Sequence, residues 1–211
     1  MSELTVDRLL TTTRSVRKRL DLTRPVPPAL IEECLTFAIQ APSGSNRQGW
    51  HFVVVTDADK RAQIGAWYRE SFLHYAGLDE AEIQRRRRDV RLLDSAMHLA
   101  EHMHEVPVLV IPCYEGRVEA AGQMAQAALY GSILPATWSF MLALRARGLG
   151  SAWTTLHLRY ADEVAALLGI PADVTQAALL PVAYYRGDDF RPAARRPARD
   201  FTYWDRWQAT R

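Results

Sequence analysis

With 211 residues, 48% of them apolar, the chain is long enough to bury one substantial core and falls in the size range of a single domain. Its 26 Lys and Arg nearly balance 24 Asp and Glu, so a net charge of +2 supplies no global field for nucleic acid or an anionic membrane, and any affinity for anions must be local. Two cysteines, Cys34 and Cys113, stand far apart and exclude a disulfide framework or a thiolate zinc site.

The opening MSELTVDRLL lacks the basic, apolar and small-residue segments of a secretory signal, which with the sparse cysteines gives the expectation of a cytoplasmic protein. A short helix is expected near Val6 to Thr12, then a basic stretch from Arg14 to Arg19. The cluster Pro25, Val26, Pro27, Pro28 starts a second helix, with Glu32 and Glu33 complementing its positive end. Leu30, Ile31, Cys34, Leu35, Phe37, Ala38 and Ile39 make that helix apolar nearly all round, so burial is expected. Trp50 to Thr56 is an apolar, β-branched run of strand length, and Asp57 is placed to cap a helix reaching about Tyr75. Within it Trp67, Tyr68, Phe72, His74 and Tyr75 fit either an aromatic lid or the packed face of an ordinary helix.

A charged helical stretch is expected from Asp79 to His104. Its Arg85, Arg86, Arg87, Arg88 and Arg91 point in different directions around a helix and are diluted by Glu80, Glu82 and Asp89, which favours a solvated face over a nucleic-acid surface. His98 and His102 have the i, i+4 spacing of a metal pair, but Glu101 lies off that face and no third ligand is evident beside His104 and Glu105, so no metal site is expected.

Val106 to Cys113 reads as a second buried strand. Ala120 to Leu144 carries no charge and is long enough to span a bilayer, but Gln123, Gln126, Ser132, Thr137, Ser139 and Pro135 make it too polar. A helix pair, or one helix bent at Pro135, buried in protein, is expected instead. Gly148-Leu149-Gly150 should end it; the pair of glycines lacks the rest of a dinucleotide fingerprint. A third strand is expected at Ser151 to Thr155, a helix at Tyr160 to Leu168 broken at Gly169, and a fourth strand at Ala177 to Tyr185. Apolar strands separated by helices imply a sheet covered on both faces, an α-β-α sandwich. Beyond it, Phe201, Tyr203, Trp204 and Trp207 either pack back on their own domain or reach across a partner subunit; the second is favoured because the sandwich is already complete.

Two constellations carry chemistry. Arg14, Ser15 and Arg17 place two guanidinium groups and a hydroxyl within four residues, a set that suits a phosphate and equally suits a surface basic loop. The turn APSGSNRQGW (41–50) has small residues that let backbone approach a flat ligand, with hydrogen-bonding capacity at Ser43, Ser45, Asn46 and Gln48 beyond what an ordinary connection needs.

Taken in order, RSVR, APSGSNRQGW, RGLGSAWTT and RRPARDFTYWDRW resemble the nitroreductase superfamily over nearly the whole chain. The resemblance implies one α+β, three-layer α-β-α domain over residues 1–211, with 186–211 as an extended C-terminal arm exchanged in a homodimer, and FMN at each subunit interface. By position, Arg14, Ser15, Arg17 and Arg195 would hold the FMN phosphate and ribityl end. Pro42, Ser43 and Gly44 would line the isoalloxazine, Asn46 of the partner copy would bond its polar edge, and Trp153, Thr154 and Thr155 would run along it with backbone amides near N5. No side chain is named as acid or base, since the flavin carries the reaction. The implied activity is ping-pong transfer of hydride from NADH or NADPH to a nitroaromatic or quinone. A flavin-storing or flavin-sensing protein, a reductive dehalogenase and a specialised biosynthetic flavoenzyme are the alternatives. The chain departs from the pattern at Thr13, where many relatives have a basic residue, at Gly49, where proline is common, and at Thr137-Trp138-Ser139, which replaces Ala-Gln-Asn.

Overall fold

The computed structural model describes residues 4–77, 91–187 and 190–210. The Arg85–Arg88 run with its acidic neighbours, and the first part of the expected 79–104 helix, lie outside them.

Among the described residues five strands form the central sheet: β1 (Trp50–Val55), β2 (Val108–Glu115), β3 (Leu149–Ser151), β4 (Val174–Gln176) and β5 (Leu180–Tyr184). The order is β1-β2-β5-β3, with β4 also on β2, and every strand pairing is antiparallel. Strand β2 explains why the sheet needs cover on both faces, because all but its last residue are buried. Its Leu109, Ile111 and Cys113 point into one apolar cluster with Ile64, Tyr68 and Phe72, while Val108 and Val110 point into another with Ile31, Cys34, Phe140 and Leu144. The period of two thus splits one strand between two cores. Burial pushes the Cys34 thiol up to about 11 and Cys113 up to about 12, so both behave as small apolar groups.

The first core lies under α3 (Ala58–Ala76), α4 (Arg91–His102) and α6 (Ala161–Leu168); the second lies under α2 (Pro28–Ala38) and α5 (Gln123–Ala146). Helix α3 starts where Asp57 accepts the Lys60 amide at 2.9 Å and stops at Gly77 in the left-handed region. Its Tyr68 and Phe72 are core residues, Trp67 stacks on Tyr160 at 6.1 Å between ring centroids, and Tyr75 faces outward, so the aromatic set is mainly a packed face. Helix α5 is a single helix through Pro135. Among the described residues it is the one helix long and apolar enough to cross a membrane by length and composition, and half of that stretch is buried within the chain.

Several sequence expectations shift. The third strand is Leu149–Ser151 rather than 151–155, and Gly148 with φ 76° makes the left-handed turn, leaving Gly150 inside the strand. The fourth strand is two: register slips by one residue between the Cys113–Gln176 and Val110–Leu180 pairs, a bulge that frees Leu179 to pair with Thr154. Helix α2 is not buried all round; Phe37 and Ile39 are 49% and 44% exposed. Glu33 lies past its first turn and instead binds Arg147 at 2.7 Å. Of the histidines, His98 and His102 sit with ring centroids 4.4 Å apart, and His102 bonds Glu105 at 2.6 Å. Among the described residues no group of three or more His, Cys, Asp or Glu is arranged for a metal.

Candidate functional site

The basic turn after α1 (Val6–Thr12) is built onto the sheet. Val16 donates its amide to Ser151 O at 2.9 Å, Ser15 bridges Ser151 in parallel, and Leu20 bridges Tyr185. Val16 reaches that position because position 150 has no side chain: a Cβ there would stand 2.9 Å from Val16 Cβ and 3.0 Å from each of its methyls. Arg14, Ser15 and Arg17 are therefore presented from a fixed backbone at the end of β3, with Ser15 exposed and both arginines half-buried.

The opposite end of the chain comes to the same place. Phe190 anchors the start of the arm, its ring 5.0 Å from Tyr185 and capped by the guanidiniums of Arg19 at 4.1 Å and Arg145 at 5.0 Å. Arg14 then donates to Arg191 O at 3.1 Å. The result is a cleft of about 320 Å³ in which Arg14 and Arg195 meet, walled by Thr13, Trp138 and Pro192. The arm's first part thus packs on its own chain. Farther on, Tyr203 pairs with Trp207 at 4.8 Å, and Phe201 and Trp207 stay 63% and 79% exposed.

The small polar loop is pinned to α5: Gly44 donates its amide to Ser132 Oγ at 2.9 Å, and Ser43 Oγ accepts from the Gln48 amide at 3.1 Å. Ser45, Asn46 and Gln48 all have positive φ of 53°, 51° and 54°, a concentration of left-handed backbone that non-glycine residues adopt only when the surroundings enforce it. In the single chain Pro42 and Asn46 are exposed. This loop is spatially grouped with the ends of β2 and α5 around a second cleft, not with Arg14 and Arg195.

The 153–155 segment divides. Thr154 is buried, its amide donates to Leu179 O at 3.2 Å and its hydroxyl to the same oxygen at 2.7 Å, so its amide belongs to the sheet and not to a ligand edge. Trp153 packs against the second core, and Thr155 is exposed at the head of the turn Leu156–Tyr160. The Tyr68 hydroxyl, pushed up to about 12 by burial and drawn back by a hydrogen bond to Thr154 and by the Arg17 charge, ties α3 to this segment. Sequence reasoning missed Phe190 as a site residue, though an aromatic shortly after the last strand was its signal; Trp138 stood out only as part of the Thr137-Trp138-Ser139 departure and was not placed at the site.

This is an α+β chain with a doubly covered antiparallel sheet and a two-arginine cleft where its termini meet. The chain belongs to the Nitroreductase family, whose model matches residues 10–184. It is 33% identical over 212 residues to a protein named NADH dehydrogenase from Thermus thermophilus, covering 90% of this chain and 91% of that one. It is 30% identical over 201 residues to iodotyrosine deiodinase 1 of Mus musculus, covering 91% of this chain and 66% of that longer protein. Among solved structures, the FMN-dependent nitroreductase NfnB of Mycobacterium smegmatis, in complex with NADPH, superposes with a TM-score of 0.69 at 22% identity, covering 95% and 97% of the two chains. A nitroreductase-like protein from Bacillus cereus gives 0.70 at 18% identity over 97% of each chain.

Proposed function

We propose that the chain is an FMN-dependent oxidoreductase that takes reducing equivalents from NADH or NADPH and works as a homodimer with shared sites. The observation that carries this reading is the meeting of Arg14 and Arg195 in one cleft. Two guanidiniums lining one small, partly apolar recess suit a phosphate monoester, to which arginine offers bidentate, charge-assisted bonds. Arg14, Ser15, Arg17 and Arg195 would hold the phosphate and ribityl end. Trp153 and Thr155 would flank the ring system, with Thr154 fixing their backbone from below. Pro42, Ser43, Gly44 and Asn46, away from the phosphate cleft of their own chain, would line the ring bound by the partner copy. The exposed Phe37, Ile39, Phe201 and Trp207 supply apolar surface for that partner to cover.

FMN held by these residues would supply two-electron redox chemistry between NADH or NADPH and an electron-poor acceptor such as a nitroaromatic or quinone, in a ping-pong sequence. The chain's own residues bind, orient and exclude water, and none is assigned a proton. The visible spectrum of the purified protein, recorded through gel filtration, tests the proposal: oxidised-flavin bands at dimer mass, bleached anaerobically by NADPH or NADH, are expected. A colourless monomer that does not take up FMN overturns it.

The likeness to iodotyrosine deiodinase 1 favours a second reading at the same cofactor, reductive dehalogenation of a halogenated phenol. Anaerobic turnover of a panel of halophenols, quinones and nitroaromatics separates the two by which class the reduced protein consumes. A flavin that bleaches but passes electrons to none of them marks a storage or sensing protein.

A further inference from the structure

The second cleft, of about 420 Å³, lies where the pinned loop meets the ends of β2 and α5, outside the two-arginine cleft. Its lining is divided: Val118, Met124, Leu129 and the ring of Tyr114 supply apolar surface, and Arg47 and Arg117 supply charge. The charges are not equivalent. Arg117 is already bound to Glu119 at 2.7 Å, and Glu115, which also reaches the cleft, is bound to His51 at 3.1 Å. Arg47 has no ion pair or hydrogen bond from its guanidinium among the described residues; only its backbone is engaged, donating to Gly44 O at 3.1 Å.

That backbone is held in place by its neighbours. Asn46 and Gln48 on either side are both left-handed, and the loop is tied to α5 through Ser132 and to itself through Ser43. An unpaired cation on a rigid, strained loop over an apolar floor is an arrangement that stability does not call for, and strain of this kind collects at ligand sites. The ordering cost that weakens most surface ion pairs falls mainly on the Arg47 side chain here.

We propose that this cleft anchors an acceptor bearing a carboxylate on an apolar, ring-sized body, with Arg47 receiving the carboxylate and the Val118, Met124 and Leu129 surface receiving the body. The inference deepens the oxidoreductase reading, since the loop that carries Arg47 also carries Ser43, Gly44 and Asn46; it names the substrate class of that reaction. Of the two cations that line the cleft, Arg47 is the one without an anionic partner among the described residues; Glu115, bonded to His51, keeps its negative charge, so the ligand carboxylate is received at Arg47.

The test is calorimetric titration of the purified, full-length protein with 4-nitrobenzoate and with uncharged 4-nitrobenzamide, followed by KM and kcat for both with NADPH. Loss of one charge-assisted contact predicts that Arg47→Gln weakens 4-nitrobenzoate roughly tenfold or more. The amide should be spared within about twofold, and the loss should appear in KM. Arg47→Lys should restore part of the affinity, and Met124→Glu, at a position 87% exposed, should reproduce the selective loss by placing a like charge at the mouth. Equal affinity of the wild-type protein for acid and amide, or an equal loss of both in Arg47→Gln, overturns the proposal. Because binding is read as heat without reductant, a colourless protein that still prefers the acid through Arg47 would remove the flavin reading alone. A yellow, NADPH-reducible protein indifferent to the carboxylate would remove this inference alone.

Discussion

Gly150→Ala is a change of one methyl group inside strand β3, yet it should cost both stability and cofactor. The new Cβ would meet three Val16 atoms at 2.9, 3.0 and 3.0 Å. Carbon atoms at rest lie 3.5–4.0 Å apart, so the turn must retreat by roughly half an ångström. That retreat is taken from the Val16 N to Ser151 O bond, now 2.9 Å, which stretches to the edge of useful length. Overpacking of this sort costs about 1–3 kcal/mol. The second cost falls on the ligand, because a binding constellation tolerates about half an ångström of displacement before its contacts fail. If one guanidinium contact to phosphate is lost, FMN dissociation should rise roughly ten- to a hundredfold. Urea unfolding of the apoprotein reads the first term and quenching of FMN fluorescence on titration reads the second. Adding Val16→Ala removes two of the three close atoms and should recover part of both. Wild-type stability and FMN affinity in Gly150→Ala would refute the claim that the sheet edge positions the basic turn.

Ser132→Ala should free the 43–48 loop, since the Gly44 amide loses its acceptor; about 1 kcal/mol of stability and a severalfold weaker FMN affinity are expected, and unchanged binding would detach that loop from the cofactor. Phe190→Ala removes the ring shared by Arg19 and Arg145, so the arm should become sensitive to limited proteolysis and FMN affinity should fall about tenfold, whereas Phe201→Ala should leave the phosphate contacts intact in the monomer unit. His157 is fully buried and its imidazole is pushed down to about 3 by desolvation, from an ordinary value near 6.5. The folded state therefore keeps it neutral while the unfolded state takes a proton, and stability from this residue is present above about pH 6.5 and is lost at about 1.4 kcal/mol per pH unit as pH falls toward 3. Urea midpoints of His157→Leu against wild type at pH 7 and pH 5 should show the variant losing less; parallel losses would place the acid sensitivity elsewhere.

The parts legible in sequence were those whose cause is local. Asp57 caps α3 because its carboxylate reaches the Lys60 amide three residues on, and the WHFVVV run is β1 because its residues suit a pleated surface. The strand ends were less legible because pairing partners set them. Leu149 and Gly150 join β3 through Tyr184 and Ala183, and the one-residue slip beside Ala177 follows from how β4 and β5 share β2. The candidate site divides the same way. RSVR and APSGSN stand out by composition, whereas the expectation that the Thr154 amide faces the flavin fails because Leu179 takes both its amide and its hydroxyl. Phe37 and Ile39 mark the limit of an apolar pattern: it called for burial nearly all round, and in this chain they stay 49% and 44% exposed.

Two of the departures from the family pattern turn out to be neighbours. Thr13 and Trp138 both wall the cleft of Arg14 and Arg195, so the place where relatives carry an extra cation here faces an indole. A phosphate in that cleft would lose one potential ion pair and gain an apolar wall. The wall lowers the local dielectric and strengthens the guanidinium contacts that remain, the same property that makes an unpaired charge there costly. Two cations beside an apolar wall should give a phosphate grip that depends less on ionic strength than a solvated cluster of three cations would. Trp138→Gln should then restore the family residue, wet the cleft, and make FMN affinity fall more steeply with added salt than in the wild-type chain; an unchanged salt slope would leave Trp138 with a packing role only.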